Sequence, residues 1–156
     1  MRIFILILGF SVISSFSVNP KEKKNSQNPE PDYKVAIHFI NRYADFCNNL
    51  TSEIEIIEWV NDRQDVTKDF KTELNRILSE AKKQNPNLGL GFDPILNAQD
   101  CPDEFEIDKK DSEYIVVKGV EWSDFRVTIK LKFEAKQWLV AGSGIVNILK
   151  NKRIER

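Results

Sequence analysis

The stretch Phe125-Arg-Val-Thr-Ile-Lys-Leu-Lys-Phe133 decides the fold class. Phe125, Val127, Ile129, Leu131 and Phe133 alternate strictly with Arg126, Thr128, Lys130 and Lys132. Successive side chains of an extended chain point to opposite faces, so this is a strand with one packed face and one wet face. Working outward, Phe105 and Ile107 begin a strand, Lys109 to Ser112 turn the chain, and the β-branched run from Tyr114 to Val120 forms a second strand. Glu134 to Gln137 make a further turn. Trp138 to Ile148 then read as a final strand, in which Gly142 and Gly144 mark a bulge or sharp bend.

Upstream the period changes from two to 3.6. From Tyr33 to Asn49, Tyr33, Ala36, Ile37, Ile40, Tyr43, Ala44 and Cys47 share one helical face. Lys34, His38, Asn41, Arg42, Asp45 and Asn49 take the other, so this helix lies on a core with one side wet. Pro31 suits its first turn. Ser52 to Val60, with Ile54, Ile57 and Trp59, reads as a short helix or a buried loop. Thr67 is an N-cap for a second long helix whose stripe is Phe70, Leu74, Ile77, Leu78 and Ala81. It ends near Gln84, because Pro86 cannot continue it. Asp93-Pro94 opens a further short helix ending near Gln99. Helices followed by an antiparallel meander make an α+β plan. The expected picture is N-terminal helices packed on a curved sheet of about four strands, wrapped around the first helix.

The full chain has 156 residues, of which 41% are apolar and 30% charged, and its net charge is −1. That composition excludes a disordered or collagen-like chain and a multi-span membrane protein. A near-zero charge leaves no electrostatic footprint for nucleic acid. With one His and two Cys, a conventional zinc site is not expected, and nothing points to another metal or a cofactor. Met1-Arg2 followed by the apolar run Ile3 to Ile13 and by Ser15-Phe16-Ser17 has the build of a secretory signal peptide over residues 1–17. The run is shorter than the ~20 residues of a bilayer span. Residues 18–32, Pro-rich and without a large apolar side chain except Val18, form a flexible leader. Residues 33–149 then form one domain, and residues 150–156 a frayed charged tail. The expected location is the periplasm or cell exterior, with membrane contact only through the signal.

Three segments carry a family resemblance: LGFDPILNAQDCPDEFEI, VKGVEWSDFRVTIKLKF and QWLVAGSGIVNI. With Thr67 and Phe70, then Asp93, Pro94, Ala98, Gln99 and Asp100, then Trp138, Gly142, Gly144 and Asn147, the chain resembles a family of secreted bacterial proteins carrying a domain of unknown function. That family belongs to the nuclear-transport-factor-2-like (cystatin-like) superfamily. The resemblance spans Tyr33 to Ile148 and implies a cone-shaped fold and export. It implies no reaction. Such folds open clefts near loops of this kind and often dimerise through the sheet, so a homodimer enters as a partner to test.

Asp93, Gln99, Asp100, Asp103 and Glu104 cluster within twelve residues but do not fit a calcium loop. Asp93, Gln99 and Asp100 are the first candidates for a binding site, with Tyr43 or Trp59 as apolar lining. Asp93 has a plainer role as a cap, and Gln99 and Asp100 as loop hydrogen-bonders. His38, the only histidine, sits mid-way along the polar face, where a sheltered general base is not expected. It stands half a helical turn out of phase with Cys47. In an oxidising compartment Cys47 and Cys101 either pair or remain two separate thiols; both readings stay open. Gly142-Ser143-Gly144 is not a nucleophile elbow, which needs Gly-x-Ser-x-Gly at a strand-to-helix turn. Asn49-Leu50-Thr51 is a glycosylation acceptor only where that machinery exists.

No catalytic set converges. The expected role is therefore non-catalytic binding of a small ligand or protein partner in the cell envelope. The alternatives are an inhibitor or immunity-type protein using the Arg126, Lys130, Lys132 stripe, or a hydrolase or isomerase using a cone Asp.

Overall fold

The computed structural model describes residues 29–49 and 55–155. The expected signal peptide, most of the expected leader, the Leu50-Thr51 end of the glycosylation motif and residues 52–54 of the expected short helix or loop lie outside them. Three helices precede a four-stranded sheet, giving the α+β class: α1 (Tyr33–Asn48), α2 (Ile56–Asn61), α3 (Lys68–Gln84), β1 (Phe105–Asp111), β2 (Tyr114–Gly119), β3 (Arg126–Glu134) and β4 (Gln137–Ser143). The sheet is an antiparallel meander in the order β1-β2-β3-β4. Among the described residues no helix is long and apolar enough to cross a membrane.

α1 contacts all four strands. Its start is capped by Asp32, whose carboxylate accepts from the Lys34 amide at 3.1 Å, so Pro31 lies just outside the helix. Ala36, Phe39, Ile40, Tyr43 and Ala44 are buried. Phe39 was not on the expected stripe. It is buried because α2 and α3 cover α1 from a second side: its ring meets Phe70 edge-on at 5.9 Å and Trp59 at 5.9 Å. Removing one such ring from water contributes roughly 1.5–3 kcal/mol. Asn41, expected on the wet face, instead clasps β1. Its amide donates to the Phe105 carbonyl at 3.1 Å, and its carbonyl accepts from the Phe105 amide at 2.7 Å.

Thr67 caps α3 as expected, accepting from the Phe70 amide at 3.2 Å. The residues before it reach the sheet's far edge. Val66 bridges Val140 in parallel, with Val140 N–H to Asp65 O at 2.8 Å and Thr67 N–H to Val140 O at 2.9 Å.

The sheet is irregular at two places. Register shifts between Ile107 and Lys109 in β1 and between Val140 and Gly142 in β4, where Ala141 is the extra residue against Lys130 and Leu131 of β3. Such bulges bend a strand and increase its local twist. The second lies within the Val140–Gly142 stretch, where the glycine signal placed it. Ala135 and Lys136, at φ 50° and 67°, form the tight β3–β4 hairpin.

Five expectations need correction. β2 stops at Gly119, and β4 stops at Ser143 and not at Ile148. Gly144 turns the chain at φ +59°, and Ser143 bridges Val146. The Asp93–Gln99 segment is a set of turns with no helix. Asp93 does cap Ile95 and Leu96, but Asn97 at φ 55° reverses the chain, and Ala98 closes back onto Asp93 through two backbone bonds. The outer face of β3 is not wholly wet, since Thr128 is 3% exposed. The C-terminal segment, expected to fray, crosses it. Thr128 Oγ1 donates to Lys152 O at 2.7 Å, Lys152 Nζ meets Asp111 at 2.7 Å, and Asn97 Nδ2 donates to Ile154 O at 3.2 Å.

Candidate functional site

The site is built around the turn at Asp93. Ile95 and Leu96 are buried and anchor that turn in the core. The exit of β4 clamps it from the other side. Ile145 N–H donates to Pro94 O at 2.9 Å, and Ser143 Oγ donates to Ile95 O at 2.9 Å. The fit is close enough that a Cβ on Gly144 would lie 2.4 Å from Pro94 O. Ser143 is wholly buried and its hydroxyl is engaged, so it is a clamp and no nucleophile.

Clamped in this way, Asp93 faces α1 with one carboxylate oxygen and its own turn with the other. Oδ1 accepts from the amides of Ile95 at 2.7 Å and Leu96 at 3.0 Å. Oδ2 accepts from the Tyr43 hydroxyl. One turn along α1, the Cys47 thiol lies 3.8 Å from the same oxygen. Burial raises the Asp93 carboxyl above its ordinary range, against the four hydrogen bonds that favour its ionised form. Tyr43 is pushed well above the usual phenol range, first by burial and then by the Asp93 charge. Cys47 is also held far up, first by its hydrogen bond with the Cys101 thiol, then by burial and the Asp93 charge.

Beside this group opens a cleft of about 780 Å³ lined by Cys47, Asn48, Asp93, Leu96, Gln99, Asp100, Cys101 and Trp122. Asp93, Gln99 and Asp100 thus do converge. Gln99 is steadied by a bond from Nε2 to Gly91 O at 3.1 Å. Tyr43 is wholly buried beneath the cleft and reaches it only through Asp93. Trp59 does not line it. The Trp59 ring meets Tyr43 edge-on at 5.1 Å and stacks on Phe46 at 5.4 Å, and Arg63 lies over its face at 5.1 Å. Trp59 is a core wall of α2, so the expected lining role is corrected.

Sequence reasoning missed Asn48, Leu96 and Trp122 as cleft residues. Trp122 is 47% exposed and rests on Phe125 with ring centroids 5.0 Å apart. Its signal was available: a tryptophan in the polar turn Glu121-Trp-Ser-Asp124 has no strand face to bury it. Asn48 is held over the loop by Nδ2 bonds to Asp103 Oδ1 at 3.1 Å and Pro102 O at 3.4 Å. Cys101 donates to Pro102 O at 3.3 Å.

His38 is exposed on the far side of α1. The basic stripe on β3 is largely neutralised. Arg126 pairs with Asp108 at 3.0 Å, Lys130 with Glu113 at 3.6 Å, and Lys132 with Glu134 at 2.9 Å. Among the described residues no three His, Cys, Asp or Glu side chains converge as metal ligands.

The lining can accept hydrogen bonds through carboxylates and amides and can present a flat aromatic face. No lysine or arginine lines it. No family model, curated protein or solved structure matches the chain, so the resemblance to the nuclear-transport-factor-2-like family rests on the quoted residues alone.

Proposed function

We propose that this chain is an exported, non-catalytic binding protein of the cell envelope that takes a small organic cation in the Asp93–Trp122 cleft. One observation carries the reading: two carboxylates, two amides and an exposed tryptophan share a cleft without a basic side chain. Carboxylates offset the desolvation of a cation, and an indole face attracts it by about 0.5–2 kcal/mol. Export is supported by the sequence pattern of residues 1–17. Kinship with the nuclear-transport-factor-2-like cone is supported by helices preceding a meander sheet and by α1 lying against all its strands.

The enzyme alternative draws on the raised Asp93 carboxyl, a feature of acid catalysts. Against it, both Asp93 oxygens are occupied by protein donors. The inhibitor alternative loses support because each basic residue of its stripe has an acidic neighbour.

The test is calorimetric titration of the purified chain with 1,4-diaminobutane, choline and, as an anionic control, succinate. Saturable binding of a cation, weakened ~10-fold by Trp122→Ala, is expected. Preference for succinate, or cation binding indifferent to Trp122→Ala and Asp100→Asn, would overturn the assignment.

A further inference from the structure

The two cysteines come from distant parts of the chain. Cys47 ends the buried face of α1, whereas Cys101 sits in the loop that enters β1. Both line the same cleft, and the Cys101 side chain is the first cause of the raised Cys47 thiol. Each is free and only partly buried, so a small reagent entering the cleft reaches both. The Cys47 thiol also engages the carboxylate oxygen that Tyr43 holds.

We propose that Cys47 and Cys101 form a reversible dithiol–disulfide site in the cleft wall, oxidised by low-molecular-weight disulfides, and that its state sets how many ligand donors Asp93 can accept. The second half of this proposal rests on the binding reading above; the first half does not.

The chemistry is thiol–disulfide exchange. Cys101, in the loop that enters β1, opens the exchange, and Cys47, held as the neutral thiol first by its neighbour Cys101 and then by burial, resolves it. Cys101 releases its proton to solvent, and its sulfur attacks one sulfur of the small disulfide. That S–S bond breaks, and the first small thiolate leaves and takes up a proton. Cys47 then releases its proton along its contact with Asp93 Oδ2, and its sulfur attacks the sulfur of Cys101. The second small thiolate leaves and is protonated. One protein disulfide forms, the cysteine pair loses two electrons, and the small disulfide gains them as two thiols. Cys47 no longer donates to Asp93, so one Oδ2 lone pair turns to the ligand. A gained hydrogen bond of ordinary strength corresponds to ~5-fold tighter binding.

The experiment equilibrates the purified chain in glutathione buffers from fully reducing to fully oxidising. Free thiols are then blocked, and intact mass is measured with peptide mapping. The expected result is a loss of two hydrogens and a single Cys47–Cys101 linked peptide, reversed by reduced glutathione. Cys47→Ser should instead accumulate a glutathione adduct on Cys101. Two blocked thiols at the oxidising end, or a lasting wild-type adduct without an internal bond, would overturn the site; these wild-type readings decide even where the variant does not fold. Titrating both redox forms with 1,4-diaminobutane tests the coupling: ~5-fold tighter binding by the oxidised form supports it, and equal affinity overturns it. A mapped Cys47–Cys101 bond in a protein that binds no cation would sustain the dithiol site and remove only the ligand assignment and the coupling built on it.

Discussion

The Tyr43 hydroxyl donates to Asp93 Oδ2, tying the middle of α1 to a turn that β4 clamps from behind. Helix, turn and sheet meet at this one bond. Its donor is wholly buried, so water cannot replace it.

Tyr43→Phe keeps the ring and deletes only that donor. The phenyl ring still fills the space against Trp59 and Phe46. Asp93 loses one of the hydrogen bonds that favour its ionised form. The variant should fold and lose about 1–3 kcal/mol in urea denaturation at neutral pH. Unchanged stability would mean the bond contributes nothing to the folded state.

The raised Asp93 carboxyl has a signed consequence for pH. Its folded value lies above its unfolded one, so the folded state binds the proton more tightly. This contribution is fully present below the ordinary carboxylate range and is lost as pH rises through the folded value. Asp93→Asn carries no such proton. Wild type minus Asp93→Asn stability, measured by urea melts at several pH values, should therefore fall as pH rises from about 4 toward neutrality. A difference that rises or stays flat would contradict the burial-dominated shift.

Gly144→Ala places a methyl group 2.4 Å from Pro94 O and 2.5 Å from Ile95 O, at φ +59°. Neither neighbour is a flexible side-chain end. The turn carrying Asp93 must shift, at a cost of about 3 kcal/mol or more. Thermal denaturation should show a large loss of stability, together with weaker ligand binding in whatever fraction still folds.

Asn41→Ala removes both bonds between α1 and Phe105 and leaves a buried strand amide unpaired. A loss of about 1–3 kcal/mol is expected. Asn41→Asp keeps the acceptor for the Phe105 amide but sets a carboxylate against the Phe105 carbonyl, so it should not restore stability. Chemical denaturation of the two variants side by side checks this.

Long periodic elements were legible because one physical period runs through many residues. β3 and α3 follow their alternation and stripe, and Thr67 caps α3 as expected. What failed to show in the residues was whatever a second contact decides. Phe39 lies off the simple stripe because α2 and α3 add a second packing surface. Thr128 alternates as a wet residue, yet the chain end lies across it. Asp93-Pro94 gives the same local signal for one turn as for a whole helix, and only Asn97 and the β4 clamp separate the two. Within the site, Asp93, Gln99 and Asp100 were legible as a local cluster. Trp122 and the nearness of Cys47 to Cys101 depend on loops brought together by the sheet.

The bridge from Val66 to Val140 sets an order of assembly. A chain made from its amino end completes all three helices long before the strand that seats α3 exists. Until Val140 emerges, the apolar stripe of α3 has no sheet to rest on, and the edge of the nascent protein stays sticky. A nonsense truncation ahead of residue 140 should therefore yield a product that chaperones and proteases treat as unfinished, although every helix has been synthesised.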